Sequence, residues 1–175
     1  MNRKHFKLAV LFMAAFVIII GLTACEKQEK AEHVMTPNQS AHVMITDAEL
    51  TWVDGPSSLP DGATMVVLEG DPTKAGLFTL RFKLPANYKV PPHFHPAEEH
   101  VTVLSGSFSM GLGENFDESA LKELPVAGFA VMPTGVRHFA WSKDGATIQL
   151  HGMGPWAITY VNPADDPRTL TSSEK

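Results

Sequence analysis

From Glu49 onward the chain alternates short apolar runs with clusters of glycine, proline, aspartate and serine. The runs are ELTWV, ATMVVLE, LFTLRFKL, EHVTVLSG, SFSMGLG, GFAVMP, VRHFAWSKDG, ATIQLHGMG and WAITYV, with turn segments such as GPSSLPDG and GDPTKAG between them. Many short strands punctuated by turn residues predict an all-β, antiparallel sandwich or barrel. Only NFDESALKEL (115–124) reads as helical, with Asp117 as its N-cap, and it forms an excursion between strands. Ahead of these runs, residues 25–45 are polar and read as a tether, with a first strand near AHVMI (41–45). Residues 46–162 then make one barrel domain, and residues 163–175 an irregular tail at the surface. A chain of 175 residues has room for one domain with a substantial core.

The first residues follow a different pattern. MNRKHFK is basic, LAVLFMAAFVIII (8–20) is continuously apolar, and small residues follow in GLTAC. A basic segment, an apolar segment of this length and small residues before a cut make an export signal. The alternative is an uncleaved anchor, but residues 8–24 lie at the lower limit for spanning a bilayer. Leu22-Thr23-Ala24-Cys25 resembles the lipobox of bacterial lipoproteins. That resemblance implies cleavage of a signal peptide at 1–24 and lipidation of Cys25, giving an exported, membrane-anchored lipoprotein. Glu26 follows the cysteine, where aspartate is associated with inner-membrane retention in enteric bacteria. In a two-membrane host the expectation is therefore the periplasmic face of the outer membrane.

Composition narrows the partners. The formal net charge is −5 and the body of the chain has no Lys/Arg run, which excludes a basic footprint for nucleic acid. Loss of residues 1–24 would remove Arg3, Lys4 and Lys7 and make the domain more acidic still. Cys25 is the only cysteine, so the exported domain has neither a disulfide nor a thiolate ligand. The acyl chains, and not surface charge, would hold it at the membrane.

The chemistry is concentrated in PPHFHPAEEH (91–100). Alternate residues on a strand share a face, so His93 and His95 point the same way. Glu99 shares their parity, although Pro96 interrupts the segment. Two imidazoles and a carboxylate aimed into one cavity suit a first-row transition metal. An isolated His-x-His is also common on surface strands, and alone it does not decide between the two. A second segment, GFAVMPTGVRH (128–138), supplies a short strand followed by Pro133-x-Gly135-x-x-His138.

Together the two segments resemble the cupin superfamily. His93, His95, Glu99 and Gly106 match the intervals of its first motif, and Pro133, Gly135 and His138 those of its second. The resemblance covers about residues 88–142. It implies a cupin-type jelly-roll β-barrel and one divalent transition metal (Fe, Mn, Ni, Cu or Zn) held by His93, His95, Glu99 and His138. It also implies a small-molecule substrate or ligand, with O₂-dependent or Lewis-acid chemistry at an open metal position, and it is compatible with a homodimer. The chain departs from the family pattern at Asn87 and Ser142, where glycine and asparagine are usual, and in the spacing of Gly128 from Pro133. None of these is a ligand position.

Several neighbours invite roles. Glu98 and His100 flank Glu99 with opposite parity and are expected to face outward or to support the site. His151, in IQLHGMG, is a candidate acid/base residue in the cavity, the alternative being an edge-strand histidine bonded to backbone. Phe94, Phe139, Trp141 and Trp156 read as barrel core, and Arg137 as a partner for an acid. His33 and His42, in the tether, are given no role. The expected function is a membrane-tethered, metal-dependent cupin enzyme acting on a small molecule. A non-catalytic metal- or ligand-binding module is the alternative.

Overall fold

The computed structural model describes residues 42–170. The signal segment, Cys25, His33 and most of the tether lie outside the described residues, as do the last five positions. Nine strands form the domain: β1 (Val53–Asp54), β2 (Thr64–Glu69), β3 (Gly76–Phe94), β4 (Glu99–Gly106), β5 (Phe108–Leu112), β6 (Lys122–Leu124), β7 (Phe129–Met132), β8 (His138–Gly154) and β9 (Thr159–Tyr160). All pairings are antiparallel, in the order β1-β2-β3-β8-β4-β7. β8 runs through the centre, with β3 along one edge and β4 followed by β5 along the other. This is the all-β jelly-roll barrel. Among the described residues no helix is long and apolar enough to cross a membrane.

The alternation of the runs decides which side chains fill the interior. On β8, Ala140, Ser142, Ala146, Ile148 and Leu150 are buried, while Trp141, Gln149 and His151 point to the other face. On β3 the inward set begins with the even positions Phe78, Leu80, Phe82, Leu84, Tyr88 and Val90. At Pro91-Pro92 the register against β8 slips, and the inward set changes to His93 and His95. Proline has no N–H to donate to a ladder and is tolerated at such bulges. The double proline thus turns the histidine pair from the outer face to the inner one.

Asn87 sits at φ 58°, in the left-handed region that glycine or asparagine tolerates, so the departure from glycine there keeps the local backbone. Its Oδ1 accepts a hydrogen bond from Trp141 Nε1 at 3.3 Å. Gly106, at φ 71°, is more demanding. A Cβ there would lie 2.1 Å from the carbonyl oxygen of Gly145, so only glycine fits between these strands.

Three local expectations are corrected. Residues 115–124 do not form a helix. Asp117 does cap, accepting from Ser119 N at 2.8 Å, but only a single 3-10 turn, Glu118–Ala120. Lys122–Leu124 then extends to pair with β5 and buries Leu124. Leu124 precedes Pro125, which disfavours helical geometry, and the ladder outweighs the local helix propensity. The strand expected at 41–45 is also absent over its described part: residues 42–46 join no ladder and Met44 is 82% exposed. In the C-terminal tail, residues 163–165 make a 3-10 turn and α1 (Pro167–Leu170) follows, where coil was expected.

Phe139 is fully buried, but on the outer face of β8, where Gly111 leaves room for its ring and Phe116 covers it at 5.0 Å. A Cβ on Gly111 would meet the Phe139 ring at 2.3 Å. Gly111→Ala is therefore expected to displace Phe139 and lower stability by about 1–3 kcal/mol. Urea unfolding with an unchanged slope and midpoint would contradict this.

Candidate metal centre

Four elements bring the motif residues together. His93 is next to last in β3, His95 follows in the turn to β4, Glu99 begins β4, and His138 begins β8 directly opposite His93. One nitrogen from each of the three imidazoles can be chosen so that all lie within 4.8 Å of one another. Glu99 Oε1 is 3.5 Å from His95 Nε2, and Glu99 Oε2 is 3.5 Å from His138 Nε2. All four residues are buried, with exposures of 1–5%. Ser142 is the only other buried polar residue among those described.

The backbone sets the chemical state of the rings. His93 Nδ1 lies 2.7 Å from the carbonyl of Pro91, His95 Nδ1 2.7 Å from that of Ala157, and His138 Nδ1 3.0 Å from that of Val136. A carbonyl only accepts, so each Nδ1 carries the proton and donates it. In a neutral ring Nε2 is then the unprotonated nitrogen with a lone pair. His95 Nε2 and His138 Nε2 are buried with no hydrogen-bond partner in the protein. Buried polar atoms left in this way cost free energy unless something ligates them. Three oriented lone pairs beside a carboxylate, each ring held by its other nitrogen, fit a divalent transition metal.

Electrostatics favour the same state. Burial holds His93 down at about 3, helped by the neighbouring His138 and His95. Burial also lowers His95. For Glu99 burial alone would raise the carboxyl, but His138, His95 and His93 outweigh it and the net direction is down. Neutral imidazoles around an ionised carboxylate are the protonation states that ligation requires.

The motif turns are tied to one another. Gly135, at φ 75°, donates its N–H to the carbonyl of His95 at 2.9 Å, and so joins the second motif to the first. β9 pairs with His93 and Phe94, and the segment before it supplies the Ala157 carbonyl.

A cavity of about 50 Å³ opens beside the site, onto His93, Glu99 and His138. Its other walls are mostly apolar, from Phe82, Leu84, Val90, Val101, Phe108, Met110, Ile148 and Leu150, and no Lys or Arg lines it. Leu59 also lines it. The loop carrying Leu59 is held by Tyr88, whose hydroxyl donates to Pro60 O at 2.5 Å, and by Tyr160, which donates to Ser58 O at 2.8 Å.

His151 is not in this cavity. Leu150 and Gly152 face inward and are buried, so His151 projects from the opposite face of β8, next to His100. The proposed acid/base role falls with that parity. Glu98 and His100 also lie outside, joined at 2.8 Å. Arg137 pairs with Glu114 at 2.8 Å on the surface. Phe94 and Trp141 are half-buried outside the core, the first under Arg137 and the second near Lys89 and Lys143.

Trp156 has a part that its apolar setting in the sequence did not disclose. It stacks on His95 with ring centroids 4.5 Å apart at 24°, lines the cavity, and buries its Nε1 without a protein partner. Tyr88 and Tyr160 were likewise silent, since a phenol within an apolar run gives no sign of which carbonyl it will meet.

Solved structures share this architecture. The polyketide cyclase RemF from Streptomyces resistomycificus is 20% identical, with a TM-score of 0.59, over 75% of this chain and 93% of that one. An RmlC-like cupin from Shewanella frigidimarina is 14% identical, with a TM-score of 0.51, over 66% and 93%. KdgF from Halomonas sp. is 18% identical, with a TM-score of 0.50, over 66% and 96%. At such identities the likeness is one of fold. Among curated proteins none matches the chain. The family model described as the ChrR cupin-like domain matches residues 40–155, well over half of the sequence and both motifs, so the chain belongs to that cupin family.

Proposed function

We propose that the protein is a metal-dependent cupin enzyme that acts on a small, largely apolar molecule. The observation that carries this reading is the orientation of the rings: three Nδ1 atoms donate outward to backbone while buried Nε2 atoms converge beside Glu99. His93, His95, Glu99 and His138 would hold one divalent ion of Fe, Mn, Ni, Cu or Zn. Such an ion supplies Lewis acidity or, if redox-active, O₂ chemistry.

The chain's own residues do the rest. The apolar walls exclude bulk water and select against polyanions, because no cationic side chain is present to pair with them. Leu59, on its tyrosine-pinned loop, limits the size of what enters. Besides His93, Glu99 and His138, the only titratable side chain lining the cavity is Tyr88, whose hydroxyl is committed to Pro60. Any proton movement in the cavity therefore falls to Glu99 or to the substrate itself.

The same two facts favour a second reading. A cavity of about 50 Å³ with no free acid/base group suits a module that binds metal and ligand without turnover. Metal analysis of the protein from its native compartment, followed by O₂ uptake with phenolics, ketones and organic acids, separates the two. A metal-loaded protein that consumes no O₂ and converts no member of the panel supports the module. A protein that takes up no transition metal at neutral pH overturns both readings.

We further propose that the domain is tethered to a membrane, facing the periplasm or cell surface, through a lipidated Cys25. The support is the basic-apolar-small pattern ending in LTAC. Cys25→Ser is expected to leave an uncleaved precursor or to release the protein from the membrane fraction. Processing and fractionation identical to the parent would refute the tether.

A further inference from the structure

Among the side chains that line the cavity, one hydrogen-bond donor is used by nothing in the protein. Four lining side chains can donate a hydrogen: Tyr88, His93, His138 and Trp156. Tyr88 donates to the carbonyl of Pro60, His93 to that of Pro91 and His138 to that of Val136. Trp156 Nε1 is shielded from solvent and has no acceptor among the described residues.

The indole is held firmly where it lies. Its ring stacks on His95, with centroids 4.5 Å apart and planes at 24°, and leans on Phe78 at 5.9 Å. The backbone N–H of Trp156 donates to the carbonyl of Pro72 at 2.7 Å, and the next residue, Ala157, supplies the carbonyl that fixes His95. Neither of the other two tryptophans lines the cavity. Trp141 Nε1 donates to Asn87 at 3.3 Å, and Trp52 lies under Lys83. A buried N–H without an acceptor costs free energy, which an oxygen atom of a bound molecule would recover.

We propose that Trp156 is a specificity-determining residue, and that its N–H binds the oxygen of a small, neutral carbonyl compound: a ketone, aldehyde or ester. This role rests on the function proposed for the cavity and narrows its substrate class. No Lys or Arg lines the cavity to pair with an anion, so the molecule is neutral. A carbonyl oxygen accepts and brings no hydrogen of its own, which matches one spare donor. An alcohol would also need an acceptor, and Glu99, the only carboxylate in the lining, is already set between His95 and His138. The apolar walls receive the carbon groups on either side of the carbonyl. A site that hydrogen-bonds one polar atom discriminates against the analogue that lacks it.

The test is titration of the full chain in detergent with cyclopentanone and with methylenecyclopentane, in which a methylene group replaces the carbonyl oxygen. In isotope-labelled protein the three tryptophans give three indole N–H resonances, and Trp156→Phe, which keeps a ring over His95, identifies the relevant one. Trp52→Phe and Trp141→Phe identify it by elimination if Trp156→Phe does not fold. Cyclopentanone is expected to move the Trp156 resonance downfield and to leave that of Trp52 in place. The hydrocarbon should cause no such downfield shift. Read from the methyl resonances of Val90 and Leu150, affinity for cyclopentanone should fall about 3–10-fold in Trp156→Phe, while affinity for the hydrocarbon stays level. Loss of packing alone would weaken both probes equally. Metal content of the same samples, expected to be unchanged by the substitution, reports on the buried ligands separately. A Trp156 resonance indifferent to cyclopentanone, or an equal loss of affinity for both probes, overturns the proposal.

Discussion

Replacing His138 or His95 with alanine is expected to abolish tight binding of the transition metal proposed for the buried site. Each substitution removes one of three imidazoles whose nitrogens converge beside Glu99, in a site whose residues are no more than 5% exposed. Losing a residue that merely orients a ligand typically costs 10–100-fold in affinity, so losing a ligand should cost about 100-fold or more. Metal content after dialysis against a mild chelator reads this directly. The controls lie close by. His100→Ala alters a side chain one residue from Glu99 but on the other face, and should leave the chelator-resistant ion in place. Glu99→Gln keeps the volume and removes the charge, which should weaken binding without disturbing the barrel. If His138→Ala retained the parent's metal while His100→Ala lost it, the buried site would be the wrong assignment.

Why these four residues were legible, and their neighbours were not, follows from how strands encode direction. The period of two placed Glu99 and His100 on opposite faces, because β4 is regular from its first residue. The same rule argues against the cavity role for His151, since inward-facing Leu150 lies next to it on β8. Single-residue parity on a short run was not enough to say which face was inner. For His93 the period of two carried forward from Phe78 would have given the wrong face. Only the slip at Pro91-Pro92 turns the pair inward, and the sequence shows the prolines without showing the slip. The motif spacing carries the pair to the inner face because it records the bulge along with the histidines. Trp156, Tyr88 and Tyr160 act through contacts that join segments far apart in the chain, and no local pattern carries that information. The misread helix at 115–124 has a similar origin. Its residues favour helix, but the edge of β5 and the core site for Leu124 claim them for a strand.

Acid should destabilise the metal-free protein well above the pH at which carboxylates usually titrate. Burial, with His138 and His95 nearby, keeps His93 neutral in the folded state down to about 3, whereas in the unfolded chain it titrates near the ordinary histidine value of about 6.5. Between those values the unfolded state binds a proton that the folded state refuses. Stability therefore rises with pH across this window and is lost as pH falls, by up to about 1.4 kcal/mol per pH unit for this one histidine. Burial lowers His95 as well, so it adds to the loss in the same direction. Glu99, held below its usual range by His138, His95 and His93 against the opposing effect of burial, contributes again only at lower pH. From pH 6.5 to 5 the loss attributable to His93 alone should be about 1.6 kcal/mol, because the unfolded histidine is only half protonated at the upper end. Urea midpoints of chelator-treated protein at the two pH values, with the slopes checked for constancy, measure it. His93→Gln cannot take up that proton and should flatten the profile by its share. A bound ion should raise stability throughout this window but leave the slope, because the unfolded chain still takes up the proton that the folded state refuses. Midpoints that stay level from pH 7 to 5 in the stripped protein would mean that the imidazoles are already protonated when folded, and that the lone pairs are not poised for a metal.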